Sequence, residues 1–286
     1  MSLLKVKTNI RRSIYRFFRT NRPSSFPFIS GDSFRAIAQH IYDEHFDFNP
    51  ESVQRNEIVF VRGNFLIDFL KNIHPKIKNE YVLISHNDDT NIDESYEKYI
   101  DNKIIHWFAQ NITFKHSKMT PIPIGIPNFC HDEMGKLRYF DQKNIEKEPD
   151  VSIKFGFVVS NKERISALEN LSKSSLAKRI QVKNQDEYID VLKKSYYVAS
   201  PTGSGLDCHR TWEAIYLKTI PIVIKNPMNE YFKSIGLPIL LINSWDEIHN
   251  FTGEFLEKEY RKIYQTDSFP QIFMDYWQKK IINYKI

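Results

Sequence analysis

The chain has 286 residues, 41% hydrophobic and 14% aromatic, with 40 Lys and Arg against 35 Asp and Glu for a formal charge of +5. This composition excludes a disordered or low-complexity chain, and with no recognisable binding module it gives a nucleic-acid role no support. No apolar run approaches the ~20 residues needed to span a bilayer, and the N-terminus lacks the apolar core and small-residue cleavage site of a secretory leader.

In chain order, residues 1–24 read as a basic tail. Lys5, Lys7, Arg11, Arg12, Arg16, Arg19 and Arg22 occur with no acidic residue before Asp32 and are interleaved with Leu3, Leu4, Ile10, Ile14, Phe17 and Phe18. A basic amphipathic helix of that kind is suited to peripheral contact with an anionic membrane surface, or to packing on the domain that follows. Over 25–135 the hydrophobic pattern predicts a helix at 31–45, a strand at 58–61, a helix at 64–73 and strands at 81–85, 103–107 and 121–125. Alternating elements of this sort imply a parallel sheet. His86, Asn87, Asp88 and Asp89 directly follow the apolar strand 81–85, so they are expected at its carboxyl end.

Residues 130–150 are polar and charge-dense, as a domain boundary or hinge would be. A second α/β domain is expected over 150–265, with a strand from 153 running into a helix whose first turn carries Lys162 and Arg164. Further strands fall at 197–199, 220–224 and 237–242, and helices at 228–234 and 252–264, with Ser244 capping the turn at Trp245. The segment 266–286 is expected to be a terminal helix packing back on the first domain through Phe273, Trp277 and Ile281. Cys130 and Cys208 form no disulfide framework and no metal spacing, which favours a reducing, cytoplasmic setting.

The most informative run is Ser200-Pro-Thr-Gly-Ser-Gly-Leu-Asp-Cys-His-Arg-Thr-Trp-Glu213, followed by the apolar 220–224. It reads as strand, glycine-bearing turn, helix and strand, with Gly203 and Gly205 freeing the backbone and Asp207 capping the helix. Amides of Thr202, Gly203, Ser204 and Gly205 at a helix start attract an anion. Arg210 is placed to bind phosphate oxygens bidentately and Glu213, one turn further on, to accept from ribose hydroxyls, with His209 directly before Arg210 at the helix start. Lys162 and Arg164 would grip the diphosphate from the other side. The chain has neither GxxxxGK(S/T) nor a dinucleotide GxGxxG after a first strand, which disfavours an ATPase or dehydrogenase.

These residues resemble the donor-nucleotide segment of exostosin-like glycosyltransferases. The resemblance extends to Phe26-Pro-Phe-Ile-Ser-Gly-Asp-Ser-Phe-Arg35, Tyr81-Val-Leu-Ile-Ser-His-Asn-Asp-Asp89, Trp107-Phe-Ala-Gln-Asn111 and Pro121-Ile-Pro-Ile-Gly-Ile-Pro-Asn128, leaving only the two ends outside it. It implies two Rossmann-like α/β domains facing across a cleft, the GT-B fold. It also implies inverting transfer of a sugar from a nucleotide diphosphate, with a UDP-sugar as the favoured co-substrate, to a hydroxyl of a glycan or glycolipid, with no cofactor and no metal. Asp89, Asp88 and His86 are the candidates for the base that takes the acceptor's proton, with Asp32 and Asp43 as alternatives. The chain contains no Asp-x-Asp of the kind that metal-dependent sugar transferases present, so leaving-group charge would fall to the 202–205 amides, the helix end and Arg210. The alternatives are a GDP-fucose-type transferase and a non-catalytic nucleotide- or glycan-binding protein.

Overall fold

The computed structural model describes residues 10, 13, 22–44, 48–140, 145–266 and 268–284. The chain divides into two compact units, Met1–Lys136 with Phe273–Ile286, and Leu137–Ile272. Each is built on a five-stranded parallel sheet, so the molecule is an α/β protein of two sheets. The expected membrane-surface role of the basic tail falls almost entirely outside the described residues. Among the described residues no helix is long and apolar enough to cross a membrane.

The first sheet has the order β1-β2-β3-β4-β5 (His40–Tyr42, Glu57–Arg62, Tyr81–His86, Ile104–Ala109, Met119–Pro121), every neighbouring pair parallel. Parallel crossovers are right-handed, so a sheet that grows in one direction puts all its connections on one face. The side chains agree. Tyr81 packs edge-on to Phe69 and Trp107 edge-on to Tyr96, both partners belonging to connections. The alternate residues His106 and Phe108 instead meet Tyr284 from the chain's end, and His86 meets Phe34. That second face is covered by helices Gly31–Ala36 and Met274–Ile282, in which Phe34 and Trp277, both fully buried, contact edge to face. Met274 N–H donates to Pro27 O at 2.9 Å, and Phe28 bridges Phe273 antiparallel.

The second sheet has the order β10-β9-β8-β6-β7 (Leu240–Ile242, Ile220–Ile224, Tyr197–Ala199, Ile153–Phe155, Ala177–Arg179). Strand β6 pairs with β7 on one side and β8 on the other, so the chain reverses its direction of growth between β6 and β8. The first sheet has no such reversal.

Several expected elements differ. The helix expected over 31–45 stops at Ala36, because Ile41 and Tyr42 are drawn into β1 beside Phe60 and Val61. The helix expected over 64–73 is a relay of 3₁₀ turn Gly63–Phe65, α-turn Leu66–Asp68 and π-turn Phe69–Ile73. Ser244 precedes a 3₁₀ turn, Trp245–Asn250, without a side-chain cap bond. The terminal helix expected from 266 is a 3₁₀ turn, Pro270–Ile272, and then the helix Met274–Ile282.

Candidate functional site

In an open parallel sheet the crevice forms where the strand order reverses, at the strands' carboxyl ends. In the second unit that point lies between β6 and β8, and the segments leaving them are 156–161 and 200–208. Three polar residues, Asn161, Glu163 and Arg164, bind these segments together. Asn161 caps the helix Lys162–Lys173 by accepting from Arg164 N–H at 2.8 Å, and its Nδ2 donates to Thr202 O at 3.1 Å and Gly203 O at 2.8 Å. Glu163 accepts from the Thr202 N–H at 3.2 Å, from the Thr202 hydroxyl, and from Trp245 Nε1 at 3.3 Å. Arg164 donates from Nε to Thr202 O and from Nη1 to Val158 O, both at 2.8 Å.

The loop following β8 is therefore held by its neighbours rather than by its glycines. Neither Gly203 nor Gly205 is among the residues of positive φ, so the turn runs here without the left-handed region. A Cβ at Gly203 would make ordinary van der Waals contact with Arg164 Nη2 at 3.5 Å and Cys208 Cβ at 3.9 Å, so a side-chain carbon would fit there beside the guanidinium. Asp207 does not cap in the expected way. The N-cap of helix His209–Tyr216 is Cys208, and buried Asp207 accepts instead from Cys208 N–H at 2.9 Å and Trp212 Nε1 at 2.7 Å.

Arg210 and Glu213 share this helix, and Tyr188, from helix Gln185–Lys194, joins them. Glu213 is buried, and that burial pushes its carboxyl up to about 7, against the pull of Arg210 and Tyr188. Arg164 feels burial first and then the positive charge of Arg210, both holding its proton affinity down. Arg210 lies with its guanidinium 5.7 Å from the Phe157 ring centre, and its Nη1 is buried with no hydrogen-bond partner among the described residues. Two guanidiniums thus converge, Arg164 beside the carboxylate of Glu163 and Arg210 beside Glu213, whose carboxyl burial pushes up. Such an arrangement can hold an anion. Thr202 and Gly203 carry the fastened loop, His209 is half-buried in the first turn, Gly205 is buried, and Ser204 and Lys162 are exposed.

In the first unit, His86, Asp88 and Asp89 lie at the carboxyl end of β3. His86 is buried, donates from Nε2 to Pro123 O at 2.9 Å and accepts from Asn87 N–H at Nδ1 at 2.7 Å. Burial holds its pKa down to about 4, so it is neutral at pH 7 with both nitrogens engaged. Asp88 is half-buried in a small pocket with Gly63, Thr90, Tyr96 and Gln110, and a Cβ at Gly63 would meet its Cβ at 2.3 Å. Asp89 is exposed, and its proton affinity is raised by partial desolvation and by the charge of Asp88. Asp32 and Asp43 are buried in an ion network: Arg22 Nε meets Asp32 at 3.1 Å, and Arg35 Nε donates to Asp43 at 2.8 Å.

Asn161, Glu163, Tyr188 and Trp245 escaped the sequence reading. For Asn161 the signal was present, an Asn three residues before Arg164 at a helix start. Tyr188 and Trp245 had none, because each reaches the loop from a distant element.

The fold and this site define an α/β protein of two parallel-sheet units, the second bringing two arginines together at its strand reversal. No family model and no curated protein sequence matches the chain. Among solved structures, the UDP-GlcNAc 2-epimerase from Methanocaldococcus jannaschii is similar over 79% of this chain and 76% of that one, with 13% identity and a TM-score of 0.35. A likeness of that degree assigns no activity.

Proposed function

We propose that the protein is a glycosyltransferase that takes a sugar from a nucleotide diphosphate, a UDP-sugar in the first instance, and that the β6/β8 crevice holds the donor's diphosphate. One observation carries the reading: Nη1 of Arg210, buried and without a hydrogen-bond partner among the described residues, lies beside a second guanidinium at the strand reversal of a parallel sheet, where such folds place their ligands. A guanidinium with one buried N–H group left without an acceptor favours a ligand that supplies one, and a diphosphate offers two charged groups. The likeness of 200–224 to the donor segment of exostosin-like transferases adds the nucleotide and the inverting outcome. In this reading the arginines take the leaving diphosphate's charge without a metal. Glu213 accepts from the ribose hydroxyls, and donates to one wherever its burial-raised carboxyl holds a proton. The acceptor proton goes to an acidic residue after β3, Asp89 before Asp88, because Asp89 combines exposure with raised proton affinity.

Calorimetric titration with UDP, GDP, CMP, ADP and dTDP, each with a divalent ion or a chelator, tests the reading. One nucleoside diphosphate is expected to bind regardless of chelator, and Arg210→Ala to weaken it by about 10- to 100-fold, the range of a lost charged hydrogen bond. Silence toward every nucleotide would overturn the proposal. Asp89→Asn should then leave donor affinity intact and abolish turnover; an active variant moves the base elsewhere.

A further inference from the structure

The segment leaving β6 runs Gly156-Phe157-Val158-Val159-Ser160, and its apolar side chains are not all put away. Val158 is 78% exposed and Val159 44% exposed. Single exposed apolar residues are ordinary, but two adjacent β-branched ones on a fastened loop are less so. The loop is fastened at this point: the Val158 carbonyl accepts from Arg164 Nη1 at 2.8 Å, and Phe157 lies under the Arg210 guanidinium. The two arginines proposed for the diphosphate are therefore the same two that hold this apolar edge.

We propose that Val158 and Val159, which follow the Phe157 held against Arg210, form the platform that receives the nucleobase of the donor, an inference that rests on the diphosphate reading above. Charge complementarity selects the occupant. A ligand that satisfies both features has an anionic end for the Nη1 that lacks a partner among the described residues and an apolar part for the segment that Arg164 and Phe157 tie to the arginines. A nucleoside diphosphate has both. The side chains of Phe157, Val158 and Val159 carry no hydrogen-bonding group, so this edge contributes affinity through desolvation and dispersion, and the preference for one nucleoside diphosphate falls to polar groups outside it.

The test compares UDP with inorganic pyrophosphate on the full-length protein by calorimetry. The wild type is expected to bind UDP about ten-fold or more tighter than pyrophosphate. V158S/V159S changes only exposed side chains and should remove about ten-fold of UDP affinity while leaving pyrophosphate binding unchanged. Arg210→Ala should weaken both. If the wild type binds neither, the diphosphate reading itself falls. If it binds both equally, or if V158S/V159S binds UDP as the wild type does, the platform falls and the anion site stands. Geranyl diphosphate binding more tightly than UDP, and losing that advantage in V158S/V159S, would assign the edge to a lipid chain and overturn the nucleobase.

Discussion

At the scale of single residues, Glu213 makes the site responsive to pH. Burial lifts its carboxyl from an ordinary 4.5 to about 7, so between those values the folded chain keeps a proton that the unfolded chain releases. Stability then falls as pH rises through that window, the reverse of a salt-bridged carboxylate. Glu213→Gln, neutral throughout, should remove the slope, and the stability of the variant relative to wild type should grow by up to about 3 kcal/mol between pH 4.5 and 7. Denaturant titrations of both proteins across that range would show it, and parallel curves would refute it. His86 acts with the opposite sign: its pKa is held down to about 4, so its contribution is complete above 6.5 and lost as pH falls toward 4, equally in both proteins. Arg210 and Glu213 were legible in the sequence because a helix start after a glycine-bearing turn is a local pattern. Their third partner, Tyr188, was not, because nothing local records that helix Gln185–Lys194 returns beside them.

At the scale of elements, what could be read depended on whether an element draws its stability from its own residues. The strands Tyr81–His86 and Ile220–Ile224 are nearly continuous apolar runs and were plain. Strand Ala177–Arg179, an edge strand with two exposed basic residues, has no such pattern and exists through its pairing with Ile153–Phe155. Lys147, within a stretch that reads as a charged linker, is half-buried as a clasp. Its Nζ donates to Ser195 O at 2.6 Å and to Leu217 O and Thr219 Oγ1 at 3.0 Å. These carbonyls follow the ends of helices Gln185–Lys194 and His209–Tyr216, where a cation is favoured. Lys147→Met should cost about 1–3 kcal/mol by leaving the carbonyls unpaired, read as a lower denaturation midpoint at constant m-value. Gly125 has φ +68°, and a Cβ there would meet Ile29 O at 2.1 Å. Gly125→Ala is therefore expected to be destabilising by more than about 1 kcal/mol, and a neutral result would mean that the backbone relaxes freely there.

At the scale of the molecule, the order of the first sheet explains why the chain's end belongs to its beginning. A sheet that grows from β1 to β5 without reversal has all its crossovers on one face, so no connecting segment exists to cover the other. An uncovered parallel sheet would leave its buried apolar run open to water. Helix Met274–Ile282 covers it, with Met274, Trp277 and Ile281 all buried. The second sheet, which reverses between β6 and β8, sends connections to both faces and needs no such return. Truncation after Ile272 should thus unfold one unit selectively. Hydrogen exchange is expected to lose protection across Tyr81–His86 and Ile104–Ala109 while Tyr197–Ala199 and Ile220–Ile224 keep theirs. Trp277→Ala should show the same pattern in milder form, at a cost of about 3–5 kcal/mol. If the truncated chain kept its protection in β3 and β4, the face would have to be stabilised by helix Gly31–Ala36 alone. If both units lost protection together, their folding would be coupled in a way that the separate sheets do not require.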